Sequence, residues 1–278
     1  MMKFWKKLRR QWHIRNADVH IVSFPKCGRT WLVLMLARVM EQHYGVKVDK
    51  PLKLRRFRGK AKGVPLILQH HDGGPEFQTV EQLERDKSIY AGKKVLFLVR
   101  DPRDVTVSAY FQKTKRNYNY EGALEEYLHE PVGGLEANIA FYNIWARNRH
   151  VPSDFLLMTY EDIHADAAHE LRRAVEFVGL KGVSDQAIAA AVEACRFDKM
   201  RKMEATNALG SKRMAPRDAS DESTYKTREG RTGGYRDHFG AADIHAMEDI
   251  IDAQLDAAYA FYWTKEKRAS SVNQAEKI

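Results

Sequence analysis

The stretch Val19-His20-Ile21-Val22-Ser23-Phe24-Pro25-Lys26-Cys27-Gly28-Arg29-Thr30-Trp31 passes from a β-branched apolar run, through a turn marked by proline and glycine, into the helical pattern of Trp31 to Gln42. It reads as strand, loop and helix. Three more short apolar runs follow: Leu66 to Leu68, Val95 to Val99 and Phe155 to Met158. Each ends in polar residues, respectively Gln69-His70-His71-Asp72-Gly73-Gly74, Arg100-Asp101-Pro102 and Thr159-Tyr160-Glu161-Asp162. Short continuous apolar runs are the pattern of strands buried on both faces of a parallel sheet. Helical patterns fill the gaps at Val105 to Lys115, Leu135 to Asn148, Ala167 to Val178, Gln186 to Ala194 and Ala242 to Tyr259. The alternation predicts an α/β fold, a central parallel sheet flanked by helices, with ligands beyond the carboxyl ends of the strands. All four polar endings fall there.

The rest of the composition sets limits. With 278 residues, 44% of them hydrophobic and 30% charged, the chain is long enough for one globular domain and too apolar to be disordered. Two cysteines, Cys27 and Cys195, exclude a disulfide framework and a cysteine-rich zinc site, and point to a reducing compartment. The longest apolar run, Trp31 to Met40, is broken by Arg38 and falls short of the ~20 residues of a membrane span. Met1 to Arg10 places charges where a secretory signal has its apolar centre, so a cytoplasmic location is expected. The expected organisation is a basic amphipathic segment at 1–18, the α/β domain at 19–265 and a polar tail at 266–278. In Met1 to Arg15, Phe4, Trp5, Leu8 and Trp12 recur at helical spacing among basic residues. Such a segment either lies peripherally on anionic lipid or docks on its own domain. Thr206 to Gly234 is polar and aperiodic, the pattern of a functional lid or a disordered segment. Lys and Arg number 46 against 37 Asp and Glu, a net charge of +9 that suggests an anionic partner without naming it.

Pro25 to Trp31 narrows the choice. A glycine turn between strand and helix lets backbone N–H groups face an anion, and Lys26 adds a full charge. The Gly-Lys-Ser/Thr ending of a Walker A loop is missing, so the loop reads either as one that holds phosphate without organising a metal or as a plain turn. Cys27 beside Lys26 is either a low-pKa thiol or a small residue in a tight loop.

The motif Pro-Lys-Cys-Gly-Arg-Thr-Trp resembles the 5′-phosphosulfate loop, Pro-Lys-Ser-Gly-Thr-Thr-Trp, of the sulfotransferases that use 3′-phosphoadenosine 5′-phosphosulfate (PAPS). Cys27 and Arg29 are the departures. Arg100 with Ser108 eight residues on is similar to that family's 3′-phosphate motif; an arginine fork and a neutral hydroxyl suit a phosphate. Arg228-Glu229-Gly230-Arg231-Thr232-Gly233-Gly234 resembles its C-terminal Arg-Lys-Gly-x-x-Gly motif, with Glu229 in place of the lysine and Arg231 as the residue expected to compensate. Phe197-Asp198-Lys199-Met200 resembles the segment whose Phe faces the loop Trp, here Trp31, across the adenine, and Tyr160-Glu161-Asp162 the segment beside the base. Core packing is the alternative role for Trp31 and Phe197. The resemblance runs in order from residue 19 to about 240. It implies a P-loop-like domain, PAPS as sulfuryl donor, no metal, and a cofactor site made of Lys26, Cys27, Gly28, Arg29, Thr30, Trp31, Arg100, Ser108, Tyr160, Phe197, Arg228, Gly230 and Arg231.

Transfer of a sulfuryl group in line needs a base on the acceptor side and positive charge on the leaving side. Lys26 is expected in the second role. A histidine with its ordinary pKa is neutral and competent near neutrality, and the register of Pro65-Leu66-Ile67-Leu68-Gln69-His70-His71 against the family's Pro-x-Ile-Ile-Lys-Thr-His puts His71 in the first, with His70 pointing to the opposite side of the strand. A metal site at His70-His71-Asp72 is a weak rival, since strand neighbours point apart. The acceptor is less legible: a hydroxyl or an amine, on a phenol, a sugar, a glycan or a glycolipid or other lipid-linked molecule. The basic run Lys47 to Lys62 either lines its entrance or is a solvated face, and Phe141, Tyr142 and Trp145 are either core or an aromatic wall. Nucleic acid is an unlikely partner. The rival functions are a nucleotide or small-molecule kinase on a related fold, which needs Mg²⁺ and a Walker-type hydroxyl, and a basic nucleic-acid- or membrane-binding module.

Overall fold

The computed structural model describes residues 12–117, 119–211 and 214–275. Four strands, β1 (Val19–Ser23), β2 (Ile67–His70), β3 (Lys94–Val99) and β4 (Asp154–Thr159), form one sheet in the order β2-β1-β3-β4. All pairings are parallel: Val19 sits opposite Ile67 on one side and Lys94 on the other, and Lys94 opposite Asp154. β1 and most of β3 are fully buried, which is why they read as unbroken apolar runs.

Helix α1 (Arg29–Tyr44) follows β1 and buries every residue from Leu32 to Met40 except Arg38. Its amino end is Gly28, in the left-handed region at φ 81°, and carries no side-chain cap. α2 (Pro102–Phe111) follows β3. Asp101 caps it by accepting the Arg103 N–H, and Pro102 takes the first turn, where a missing N–H costs nothing. The expected helix there ends earlier in α geometry and widens into a π-helical stretch, Gln112–Asn117. α3 (Leu135–Arg147) buries Phe141, Tyr142 and Trp145 against the sheet, with Trp145 stacked on Phe97, so these aromatics are core and not an acceptor wall. After β4 come α4 (Tyr160–Ala165), α5 (Ala167–Phe177), α6 (Asp185–Ala194) and α7 (Phe197–Ala205). α1 packs on α5 and α6. α8 (Ala241–Gln254) stops at Leu255, and the rest of the expected helix is a 3-10 turn at Ala257–Tyr262.

The two basic segments fare differently. Residues 12–16 are helical and Trp12 is exposed, but Phe4, Trp5 and Leu8 lie outside the described residues. In Lys47 to Lys62, Leu54 and Phe57 are buried, while Arg55, Arg56 and Arg58 gather beside Trp12, His13 and Leu66 at the amino ends of the strands. Arg56 and Arg58 pair there with Asp49 and Asp18. These arginines are therefore at the opposite end of the sheet from the polar strand endings and do not line a ligand entrance.

Behind β2 lies a polar cluster that no local pattern announced. His70 Nδ1 accepts the Asp72 N–H (3.1 Å), so its Nε2 carries the proton donated to His20 Nδ1 (3.0 Å). His20 is fully buried and its Nε2 has no partner among the described residues. Burial lowers its pKa from 6.5 to about 4, with Lys93 adding to the effect and Asp72 opposing it. The unfolded chain binds this proton at the ordinary value and the fold resists it, so stability is lost as pH falls from 6.5 towards 4. Between pH 7 and pH 4.5 this one group is expected to cost about 2 kcal/mol. Urea unfolding of the wild type and of His20→Asn at the two pH values checks this; equal acid destabilisation in both refutes it.

Candidate active site

Each strand hands the chain to a residue at the mouth of one cavity of about 1350 Å³. Lys26 follows β1, His71 follows β2, Arg100 follows β3 and Tyr160 follows β4, and all four line it. The site therefore sits at the carboxyl ends of the strands, where β1 separates the two directions of strand order.

On the β1 side, Lys26 itself adopts a positive φ of 75° before Gly28 at 81°. Two consecutive turns of this kind aim the loop and the uncapped start of α1 into the cavity. Gly28 is required for a second reason: a Cβ there would lie 2.5 Å from the Tyr160 ring. Lys26 Nζ donates to Gln112 Oε1 at 3.1 Å. Burial holds its pKa well below the ordinary lysine value, and the nearby cations Lys226, Arg116 and Arg100 lower it further. Arg29, Thr30 and Trp31 line the same wall, and the Trp31 indole is anchored by donating to the Cys195 carbonyl at 2.9 Å.

Arg100 donates to the Arg231 carbonyl at 2.9 Å, pairs with Asp104 at 3.2 Å and lies 4.4 Å from the centre of the Tyr160 ring. Its buried Nε has no partner among the described residues. Ser108 lines the cavity from α2. Phe197, 39% exposed at the start of α7, lies against Gly230, whose φ is 64° and whose Cβ would approach that ring to 2.2 Å. Arg228 completes this side, its guanidinium 4.0 Å over Phe111 and bonded to Glu229.

On the β2 side, His71 Nδ1 donates to the Ser23 carbonyl at 2.9 Å, which leaves Nε2 as the lone-pair nitrogen. Arg29 donates to that nitrogen at 2.7 Å. The His70 ring instead turns to His20 and stacks on Tyr90, so the two neighbouring histidines do not converge on one point. Phe77, Glu76 and Tyr127 lie further out on the same side.

Two expected contacts are not made. Cys27 is fully buried on the far side of its loop, 3.2 Å from the Tyr142 hydroxyl, and burial pushes its thiol up to about 12. It is neither a reactive thiol nor a side chain of the cavity. Arg231 does not line the cavity: its guanidinium is bonded to Glu229 at the cavity edge and to Asp237 outside it, and these two carboxylates hold it there. Lys226, Arg116 and Arg217 line the cavity and bring further positive charge. Arg116 and the backbone of Lys226 are fixed through Glu204, fully buried, which pairs with Arg116 at 3.2 Å and accepts the Thr227 N–H at 2.9 Å, the Thr227 hydroxyl at 2.7 Å and the Lys226 N–H. Arg116 in turn holds the Ala215 and Thr224 carbonyls. The described part of 206–234 is thus irregular but tied down at Ala215, Thr224, Lys226 and Thr227.

A group carrying phosphates fits these residues. The cations converge, the Arg100 Nε is buried without a partner, and two glycines lie against aromatic rings where any side chain would collide. The comparisons point the same way. Residues 16–259 match the sulfotransferase domain model. The chain is 23% identical over 275 residues to sulfotransferase 2B1 of Mus musculus, covering 93% of this chain and 77% of that protein. It is 23% identical over 269 residues to the flavonol 3-sulfotransferase of Flaveria bidentis, covering 86% and 82%. Its fold is similar to retinol dehydratase solved with androsterone and the inactive cofactor PAP, at a TM-score of 0.60 and 19% identity over 90% of this chain and 85% of that one. A mouse sulfotransferase complexed with PAP gives 0.59 and 18% over 94% and 89%. The domain match spans all four strands and every cation of the cavity, and the chain therefore belongs to the sulfotransferase family, enzymes that move a sulfuryl group from PAPS to an acceptor.

Proposed function

We propose that the acceptor is a small molecule bearing a hydroxyl, and that His71 and Lys26 are the two groups on which transfer turns. The observation that carries this reading is the placement of a lone-pair imidazole nitrogen, His71 Nε2, in the same cavity as Lys26. Bound PAPS supplies an activated sulfuryl group on a good leaving phosphate. His71 Nε2 takes the acceptor's proton as the new O–S bond forms. Lys26, in the loop that would hold the 5′-phosphate, would stabilise the charge that builds on that phosphate as it departs.

The remaining residues bind and orient. Arg100, Ser108 and Arg228 hold the 3′-phosphate; Trp31 and Phe197 face the adenine, with Tyr160 beside it and Gly230 leaving the ring accessible. Thr30, Gly28 and the Cys27 backbone shape the phosphate loop. Gly230→Ala is expected to weaken adenosine 3′,5′-bisphosphate binding by tenfold or more, since the new Cβ displaces Phe197 and strains a positive φ. Calorimetric titration of the variant checks it; unchanged affinity removes Phe197 from the adenine site.

For the acceptor, Phe77 and Tyr127 bring aromatic rings and Glu76 and Gln69 polar groups to the lining of the cavity that holds His71. That supports a ring-bearing alcohol or phenol over an extended polyanionic glycan. A panel of phenols, steroids, sugars, glycolipids and polysaccharides with sulfur-labelled PAPS tests it; label appearing only in polysaccharide overturns the small-molecule reading. A cytoplasmic location is proposed with it, as for the relative from Arabidopsis thaliana named cytosolic sulfotransferase 17. No helix among the described residues is long and apolar enough to cross a membrane. Peripheral attachment through residues 1–15 is tested by sedimentation with anionic vesicles; equal sedimentation of a chain lacking them refutes it.

A further inference from the structure

We propose that Arg29 is a positioning residue that caps the His71 base while the phosphate loop is empty and releases it when an anion enters that loop. The inference rests on His71 being the base. Arg29 is the first residue of α1, so its backbone is fixed at the loop that receives the anion, yet its side chain reaches across to the β2 side. There it donates to His71 Nε2 at 2.7 Å, the nitrogen left with a lone pair because Nδ1 is committed to the Ser23 carbonyl.

Two consequences follow from that geometry. A guanidinium at hydrogen-bond distance opposes a second positive charge on the imidazole, so His71 stays neutral. It also occupies the lone pair that an acceptor hydroxyl must reach, so the base is unavailable. An arginine fork prefers a phosphate or sulfate oxygen to a neutral nitrogen, because the oxyanion adds ion-pair attraction and offers two oxygens that the planar fork can hold at once. Occupation of the loop therefore draws Arg29 off His71, and the base is uncovered only when there is a group to transfer. The other charged residues that share this region are Lys26 of the loop, Glu76 beyond β2, Lys113 of the π-helical stretch and Asp72, whose carboxylate is held by Tyr90 and Lys87. All are retained in an Arg29 variant, which isolates the guanidinium.

The test is titration of the His71 ring by ¹⁵N NMR in the full chain, its signals assigned by their loss in His71→Gln, with adenosine 3′,5′-bisphosphate as the probe ligand. In the free protein His71 is expected to titrate about one pH unit or more lower in the wild type than in Arg29→Met. Saturating bisphosphate is expected to close most of that gap, and Arg29→Met to bind it about tenfold more weakly. Arg29→Thr gives the same readings if the Met variant does not fold. Equal His71 titration in the free wild type and variant, a gap that persists with ligand, or unchanged affinity each overturns the proposal. The ring is observed without turnover, so these results stand apart from whether His71→Ala loses activity.

Discussion

Replacing His71 by alanine is expected to lower the turnover number for sulfuryl transfer by about 10²–10⁴-fold while leaving the fold and bisphosphate binding intact. The ring is partly exposed at the end of β2, and it bonds to the Ser23 carbonyl and to Arg29, so its loss removes little packing. Of the other imidazoles that line the cavity, His70 is committed at both nitrogens, to Asp72 and to His20, and His164 stands after β4 with Nε2 donating to the Gly230 carbonyl at 2.8 Å, away from the end of β2. The measurement is steady-state turnover beside calorimetric titration with the bisphosphate. A variant that keeps near-normal turnover assigns the proton to another group.

Lys26→Ala is expected to lower turnover by about 10²–10³-fold, the usual loss when one preorganised charge is taken from a developing anion. The substitution keeps a Cβ at a residue already in the left-handed region, so the backbone of the loop is not further strained. Lys26 also has a pH signature. Burial and the surrounding cations depress its pKa in the free protein, and an anion beside it raises that pKa again. Binding therefore takes up a proton, and affinity for the bisphosphate falls as pH rises from the depressed value towards the restored one. Calorimetry in buffers of different ionisation enthalpy reads the proton directly. Proton uptake that is the same in Lys26→Ala as in the wild type would contradict the assignment.

The sheet was legible because its two central strands, β1 and β3, are buried on both faces, so that Ile21, Val22 and Val95 to Val99 left no polar alternation to confuse the reading. The phosphate side was legible for a related reason: backbone turns need glycine, and Gly28 and Gly230 stand against Tyr160 and Phe197 where no other residue fits. What escaped was whatever depends on distant segments meeting. Glu204 reads locally as one more charge on a polar helix, yet it is fully buried and fastens Arg116, Lys226 and Thr227 from two other parts of the chain. The cluster of His20, His70, Tyr90, Asp72 and Lys87 is equally invisible, since its members come from β1, β2 and the loops beyond. Arg231 misled because spacing fixes the position of a Cα and not the carboxylates its side chain will find.

We propose that in this cavity PAPS gives its sulfuryl group directly to an acceptor hydroxyl whose proton goes to His71. With the best acceptor of the panel, sulfur-labelled PAPS and mass spectrometry of both products test it most directly. The account predicts one sulfate ester formed per adenosine 3′,5′-bisphosphate released, with both lost in His71→Ala. Bisphosphate released without an ester, or an acceptor phosphorylated from ATP in its place, would contradict it.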